Sequence, residues 1–193
     1  MGYRPSPEGD GASAISAKIV IAGGFGVGKT TFVGSVSEVP TLSTEALMTE
    51  VSAPVDDLEE TPDKTTTTVA MDFGRITLDS ELVLYLFGTP GQPRFWFMWD
   101  DLVRGALGAV ILVDTRRLSD CFPAVNYFEN DCDVPFIIAV NQFDDAPVYP
   151  LEEVREALAV GPNVPIVNCD AREGVDARGV LTEAIKHALA VTG

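Results

Sequence analysis

The chain is 193 residues long and carries 29 Asp and Glu against 13 Lys and Arg, a formal net charge of −16. That length supports one domain with a sizeable core and is short for two, and 46% hydrophobic residues exclude an acidic disordered chain. A surface this acidic repels nucleic acid and anionic lipid, which excludes a broad phosphate-backbone binder.

In chain order, residues 1–16 are rich in Gly, Pro and Ser and read as a flexible tail ahead of a domain over 17–193. AKIVIAG is a β-branched strand run, GFGVGK a glycine-rich loop, and TTFVGSVSEV a helix continuation. Between Lys29 and Lys64 stand eight acids and no base, with prolines at 40, 54 and 62. Residues 40–64 are therefore expected to form an extended acidic loop. TTVAMDFGRITLDSELVLYLFG gives two strands joined near Asp79-Ser80, a hairpin by turn chemistry. LGAVILVD, VPFIIAVN and VPIVNC are runs of the kind covered on both faces, and helices are expected around 94–104, 117–131, 151–159 and 174–191. The sum is an α/β fold, a mixed, mostly parallel six-stranded sheet with helices on both faces, and the glycine-rich GFGVGKT loop between the first strand and helix makes it one of the P-loop NTPase kind. No apolar run reaches the roughly 18 residues of a membrane span. Cys121, Cys132 and Cys169 lack CxxC spacing and fit reduced thiols. The expected setting is the cytoplasm.

Gly23-Gly24-Phe25-Gly26-Val27-Gly28-Lys29-Thr30 fits GxxxxGK[ST] between a strand and a helix, with Thr31 following. Glycines let backbone N–H groups converge on phosphate oxygens, and the helix N-terminus adds its positive end. Lys29 is placed for the terminal phosphates and the Thr30 hydroxyl for Mg²⁺.

Asn141-Gln142-Phe143-Asp144 closes the run VPFIIAV. Here the chain resembles the small Ras-like GTPases and their NKxD motif, with Gln142 in place of Lys. The resemblance implies GTP/GDP as ligand, because the Asp144 carboxylate accepts from guanine N1–H and the exocyclic amine, and adenine offers neither donor at those places. Asp170-Ala171-Arg172 resembles the same family's second base loop, which implies that the Ala171 N–H serves the base. FGTPGQPRF resembles DTAGQERF, which implies the Gly91 N–H on the γ-phosphate and Gln92 orienting the attacking water. The family's Asp that holds Mg²⁺ through a water is Gly88 in this chain, which implies weakened Mg²⁺ binding. Gln92 also precedes Pro93, which confines it to extended conformations. Thr65-Thr66-Thr67-Thr68 before VAMDF resembles the family's first switch, which implies Thr68, with Thr67 as the fallback, as a second hydroxyl ligand of Mg²⁺ in the triphosphate state.

Phe25 stands where the Ras group commonly has Gly, which implies slow intrinsic turnover. Five large apolar residues, Phe95 to Trp99, cannot all face one side of a helix, so some are expected at the surface as partner anchors. Within the superfamily the motifs look closest to the bacterial MglA-like branch and its actinobacterial conservon GTPases. That resemblance implies a signalling switch with a roadblock/LC7-type regulator and a histidine-kinase-like protein as partners, and recruitment to a membrane only through a partner. The reading is a guanine-nucleotide switch that hydrolyses GTP slowly, with Gln92 and Lys29 as catalytic residues. A hydrolysis-deficient nucleotide-binding scaffold and an ATP-dependent phosphotransferase stand as alternatives.

Overall fold

The computed structural model describes residues 15–49, 66–78, 82–144 and 146–193. Residues 1–14 of the tail expected over 1–16, and residues 50–64 of the acidic loop expected over 40–64, lie outside them; Ile15 and Ser16 belong to the first strand and not to a tail. Among the described residues seven strands form one sheet, in the order β2-β3-β4-β1-β5-β6-β7. They are β1 (Ile15–Gly23), β2 (Leu42–Thr49), β3 (Thr66–Thr77), β4 (Leu82–Gly88), β5 (Gly108–Val113), β6 (Phe136–Asn141) and β7 (Ile166–Cys169). β1 pairs in parallel with β4 and β5, and β5–β6 and β6–β7 are parallel. β2–β3 and β3–β4 are antiparallel, so the hairpin expected around Asp79-Ser80 lies on one edge of a parallel core.

Residues 19–22 of β1 show why these runs are strands. Ile19 and Ile21 pack on one face with helix α1 (Lys29–Val36) and helix α5 (Gly174–Thr192), whereas Val20 and Ala22 face the opposite layer. That layer holds helices α2 (Trp99–Val103), α3 (Phe122–Asn126) and α4 (Leu151–Leu158). β5 and β6 repeat the alternation with Val110, Leu112, Ile137 and Ala139 on the α1/α5 side. Every residue of these two strands is buried, as helix-covered parallel strands require. Each fully buried Val, Leu or Ile contributes roughly 1.5–3 kcal/mol relative to exposure.

The α/β class and the mostly parallel sheet are as read from the sequence. Three local expectations are corrected. Residues 42–49 are not loop: they form the edge strand β2 along β3, making the sheet seven-stranded. The helix expected over 94–104 begins as a 3₁₀ stretch, Pro93–Met98, before five α-helical residues. The helix expected over 117–131 is a succession: a 3₁₀ stretch (Thr115–Cys121) broken at Arg117, then α3, then a π turn (Tyr127–Asp131). Pro123 sits in the first turn of α3, where a missing N–H is tolerated, and a helix running through it is not.

Candidate functional site: a phosphate loop and a base loop

β1 ends at Gly23, and the loop that follows turns back onto α1 through left-handed backbone at Gly26 (φ 71°) and Gly28 (φ 103°). Gly28 caps α1 with no side-chain hydrogen bond, which leaves the first N–H groups of the helix directed at the loop. A Cβ at Gly28 would also lie 2.7 Å from Asn141 Nδ2, so glycine is required for space as well as conformation. Lys29 is buried, and its Nζ donates to the carbonyls of Gly23 (2.9 Å) and Gly24 (2.7 Å). Burial pushes its pKa down to about 8, against the opposing attraction of Asp72.

A cavity of about 430 Å³ opens over this loop. Lys29, Thr30, Thr31, Gly91 and Gln92 all line it, so the structure brings together the loop residues and the Gly91-Gln92 pair that the sequence singled out. Gly91 is packed so closely that a Cβ there would lie 2.9 Å from Lys29 Nζ and 2.9 Å from Phe25 Cα. Gln92 is extended (φ −87°, ψ 135°), the conformation that Pro93 imposes. Phe25 is 64% exposed at the cavity rim, while Phe95 and Trp99 are buried and Trp96 and Phe97 are exposed. Thr68 is placed in β3 opposite Leu47, four residues and about 13 Å of strand before Asp72.

Asp72 is the wall residue that reading the sequence missed. The Thr30 hydroxyl donates to its Oδ2 at 2.7 Å. Its place shows only across the ladder, where Asp72 stands directly opposite Gly88; a two-residue turn at Asp79-Ser80 would have set it opposite Phe87.

The second half of the site is joined to the first through Asn141. Its side chain is buried, its Nδ2 donates to the Val27 carbonyl (2.9 Å), and its Oδ1 accepts from the Ala171 N–H (2.9 Å). One amide thus fixes the phosphate loop, the end of β6 and the 170–172 loop to each other. The Ala171 N–H, expected to face a base, is engaged with Asn141. Gln142 reaches the Asn168 side chain at 3.3 Å. Asp144 is 78% exposed, and Arg172 bridges it (3.1 and 2.9 Å) to Asp170 (2.7 Å). The guanidinium holds the Asp170 carboxyl down at about 2 and draws Asp144 below its ordinary range. Sequence reading also missed Asp114, which is buried and held by Arg116, whose guanidinium stacks 3.7 Å over the Phe143 ring.

Among the described residues no helix is long and apolar enough to cross a membrane. The chain is similar to an uncharacterized protein, MJ1339, of Methanocaldococcus jannaschii, 29% identical over 100 residues. The match spans 52% of each chain, about half the length of that relative. A family model described as "Conserved hypothetical ATP binding protein" matches residues 21–191, nearly the whole described domain and both loops of the site. This overturns the resemblance to the small Ras-like GTPases and their MglA-like branch, because neither match is to such a protein. The shared features are those of the phosphate loop and its sheet, which many nucleotide-binding families use. With a phosphate loop, a cavity over it and that match along the domain, the chain belongs to this conserved ATP-binding protein family.

Proposed function

We propose that the protein is a nucleoside-triphosphate-operated switch that prefers guanine, binds its nucleotide with Mg²⁺ and hydrolyses it slowly. The observation that carries the base preference is the Asp144 carboxylate, open to solvent beside the Asn141 strut. An ionised carboxylate only accepts hydrogen bonds. Guanine presents two donors on the edge such a group would meet, whereas adenine presents a donor and an acceptor. Lys29 would hold the terminal phosphates, and Gln92, extended at the cavity wall, would orient water. The Thr30 hydroxyl, a hard oxygen donor already directed at a carboxylate, fits a Mg²⁺ ligand. That ion would neutralise phosphate charge. Exposed Phe25 at the rim supports slow turnover, because it narrows the approach of water or of a partner's side chain. Gly91 to Met98, ending in exposed Trp96 and Phe97, would carry nucleotide state to a partner.

A second reading, adenine, is favoured by the family's description and by the Arg172–Asp144 pair. That pair sets a donor beside an acceptor, which is the pattern of the adenine edge. Competition between GTP and ATP for the protein, followed by displacement of a fluorescent purine diphosphate, separates the two. Tighter GTP binding by 10-fold or more, together with a shift of Asp144→Asn from guanine toward xanthine, is the expected result. An Asp144→Asn variant that keeps its guanine selectivity, or a wild type that prefers ATP, refutes the guanine assignment.

A further inference from the structure

The last residue of β4 is Gly88, and Asp72 of β3 stands directly opposite it in the antiparallel ladder. Side chains of directly opposed residues share one face of a sheet. A Cβ added to Gly88 would lie 3.0 Å from both Asp72 Cβ and Asp72 Oδ2. The Asp72 side chain therefore occupies the space that a residue-88 side chain would need, and its carboxylate ends 2.7 Å from the Thr30 hydroxyl.

One more atom at this place lacks a partner. Thr89, next in sequence to Gly88, is buried and lines the same cavity, and its Oγ1 makes no hydrogen bond. A buried hydroxyl without a partner is disfavoured, which a water held on a cation in the cavity would relieve. Among the described residues no cluster of three acidic, histidine or cysteine side chains forms a cation cage. The protein thus offers one carboxylate and hydroxyls, with the remaining ligands left to phosphate and water, the manner in which Mg²⁺ is usually held.

We propose that Asp72 is the divalent-cation carboxylate of this site, supplied from the neighbouring strand, and that Gly88 is glycine to make room for it. The assignment rests on the nucleotide reading above. It also removes the ground for weakened Mg²⁺ binding, because the charge absent from position 88 is restored from position 72. The cation would sit between Thr30 and Asp72, replacing their mutual hydrogen bond, with bound water facing Thr89. Asp72→Asn keeps the shape and loses the charge. Gly88→Asp alone forces two carboxylates into contact, whereas Asp72→Gly combined with Gly88→Asp moves the charge to β4 and leaves β3 the space.

The test uses fluorescent GDP and ADP with the full chain. Nucleotide release is timed in Mg²⁺ and after EDTA, and Mn²⁺ binding to the nucleotide complex is followed by electron paramagnetic resonance. Expected are release at least 10-fold faster after EDTA in the wild type and an EDTA-like rate in Mg²⁺ for Asp72→Asn. Mn²⁺ binding should weaken by a similar factor, and the relocated pair should recover most of both. An Asp72→Asn variant that keeps the wild-type Mg²⁺ dependence and Mn²⁺ affinity overturns the assignment while leaving nucleotide binding intact. If Asp72→Asn binds no nucleotide in EDTA, the relocated pair decides: failure to restore Mg²⁺ dependence in a nucleotide-binding double variant overturns the assignment. A wild type that binds neither nucleotide overturns the functional reading and this assignment with it.

Discussion

Lys29 concentrates the electrostatics of the site in one side chain. Its burial disfavours the charged form and lowers its pKa to about 8, although two loop carbonyls accept from its ammonium. A polyphosphate brought against it would favour the charged form and raise that pKa again. At pH 8.5 the free protein therefore holds less than one proton on Lys29, and binding takes one up. At pH 6.5 Lys29 is already protonated in both states and contributes nothing. Titration calorimetry at pH 8.5 in buffers of different ionisation enthalpy should show net uptake approaching one proton per nucleotide, absent in Lys29→Met at saturating nucleotide. Equal proton counts in the two proteins would mean that Lys29 does not face the phosphates. The same shift has a stability sign. The unfolded chain binds more protons on this lysine between about pH 8 and its ordinary value near 10.5, so this group adds stability as pH rises through that window. Cys121 and Cys169, pushed up to about 12 by burial, act in the opposite direction above their ordinary value, so only the difference between wild type and Lys29→Met isolates the lysine.

Elements differ in how openly their sequences announce them. β1, β5 and β6 were legible because burial on both faces leaves continuous apolar runs, and their glycine, proline or polar ends mark where the runs stop. Leu112 illustrates the consequence: it is fully buried in the layer that includes α1 and α5. Leu112→Ala removes a side chain that the close-packed layer cannot refill and should destabilise the fold by about 2–5 kcal/mol. Urea unfolding would read this as a lower midpoint at an unchanged slope; a midpoint shift under 1 kcal/mol would mean that this layer is loosely packed. β2 was not legible, because LSTEALMT lies among acids and between Pro40 and Pro54, where composition signals loop. What makes it a strand is the unpaired edge of β3, a partner that a local pattern does not contain. The same blindness hid Asp72. Read along its own strand it is one polar residue in VAMDF, and only across the ladder does it meet Gly88 and Thr30. Asn141 was singled out only through the resemblance of NQFD to NKxD, and its role as a buried strut between Val27 and Ala171 appears only when the two loops are brought together.

At the scale of the whole molecule, the nucleotide and the protein carry the same sign. A triphosphate is a polyanion, and the chain has a formal net charge of −16. Basic groups near the site, among them Lys29, Arg94, Arg117 and Arg172, act at short range, and Arg117 and Arg172 are already paired with acids. At 0.01 M ionic strength the screening length is about 30 Å, so the approaching nucleotide feels the net charge of the entire molecule. At 0.15 M it is about 8 Å, and only the lip of the cavity counts. Association of the nucleotide should therefore speed up by a few-fold as salt rises from 0.01 to 0.15 M, the reverse of electrostatic steering. Stopped-flow mixing at fixed Mg²⁺ measures this directly. A rate that falls with salt would mean that the basic side chains near the site already govern the field tens of ångströms out. The acids would then be grouped away from the cavity mouth. Removing charge from the acid-rich segment between Lys29 and Lys64 then separates the cases: neutralising it should raise the low-salt rate if the acids act as a barrier, and leave it unchanged if they are remote from the approach.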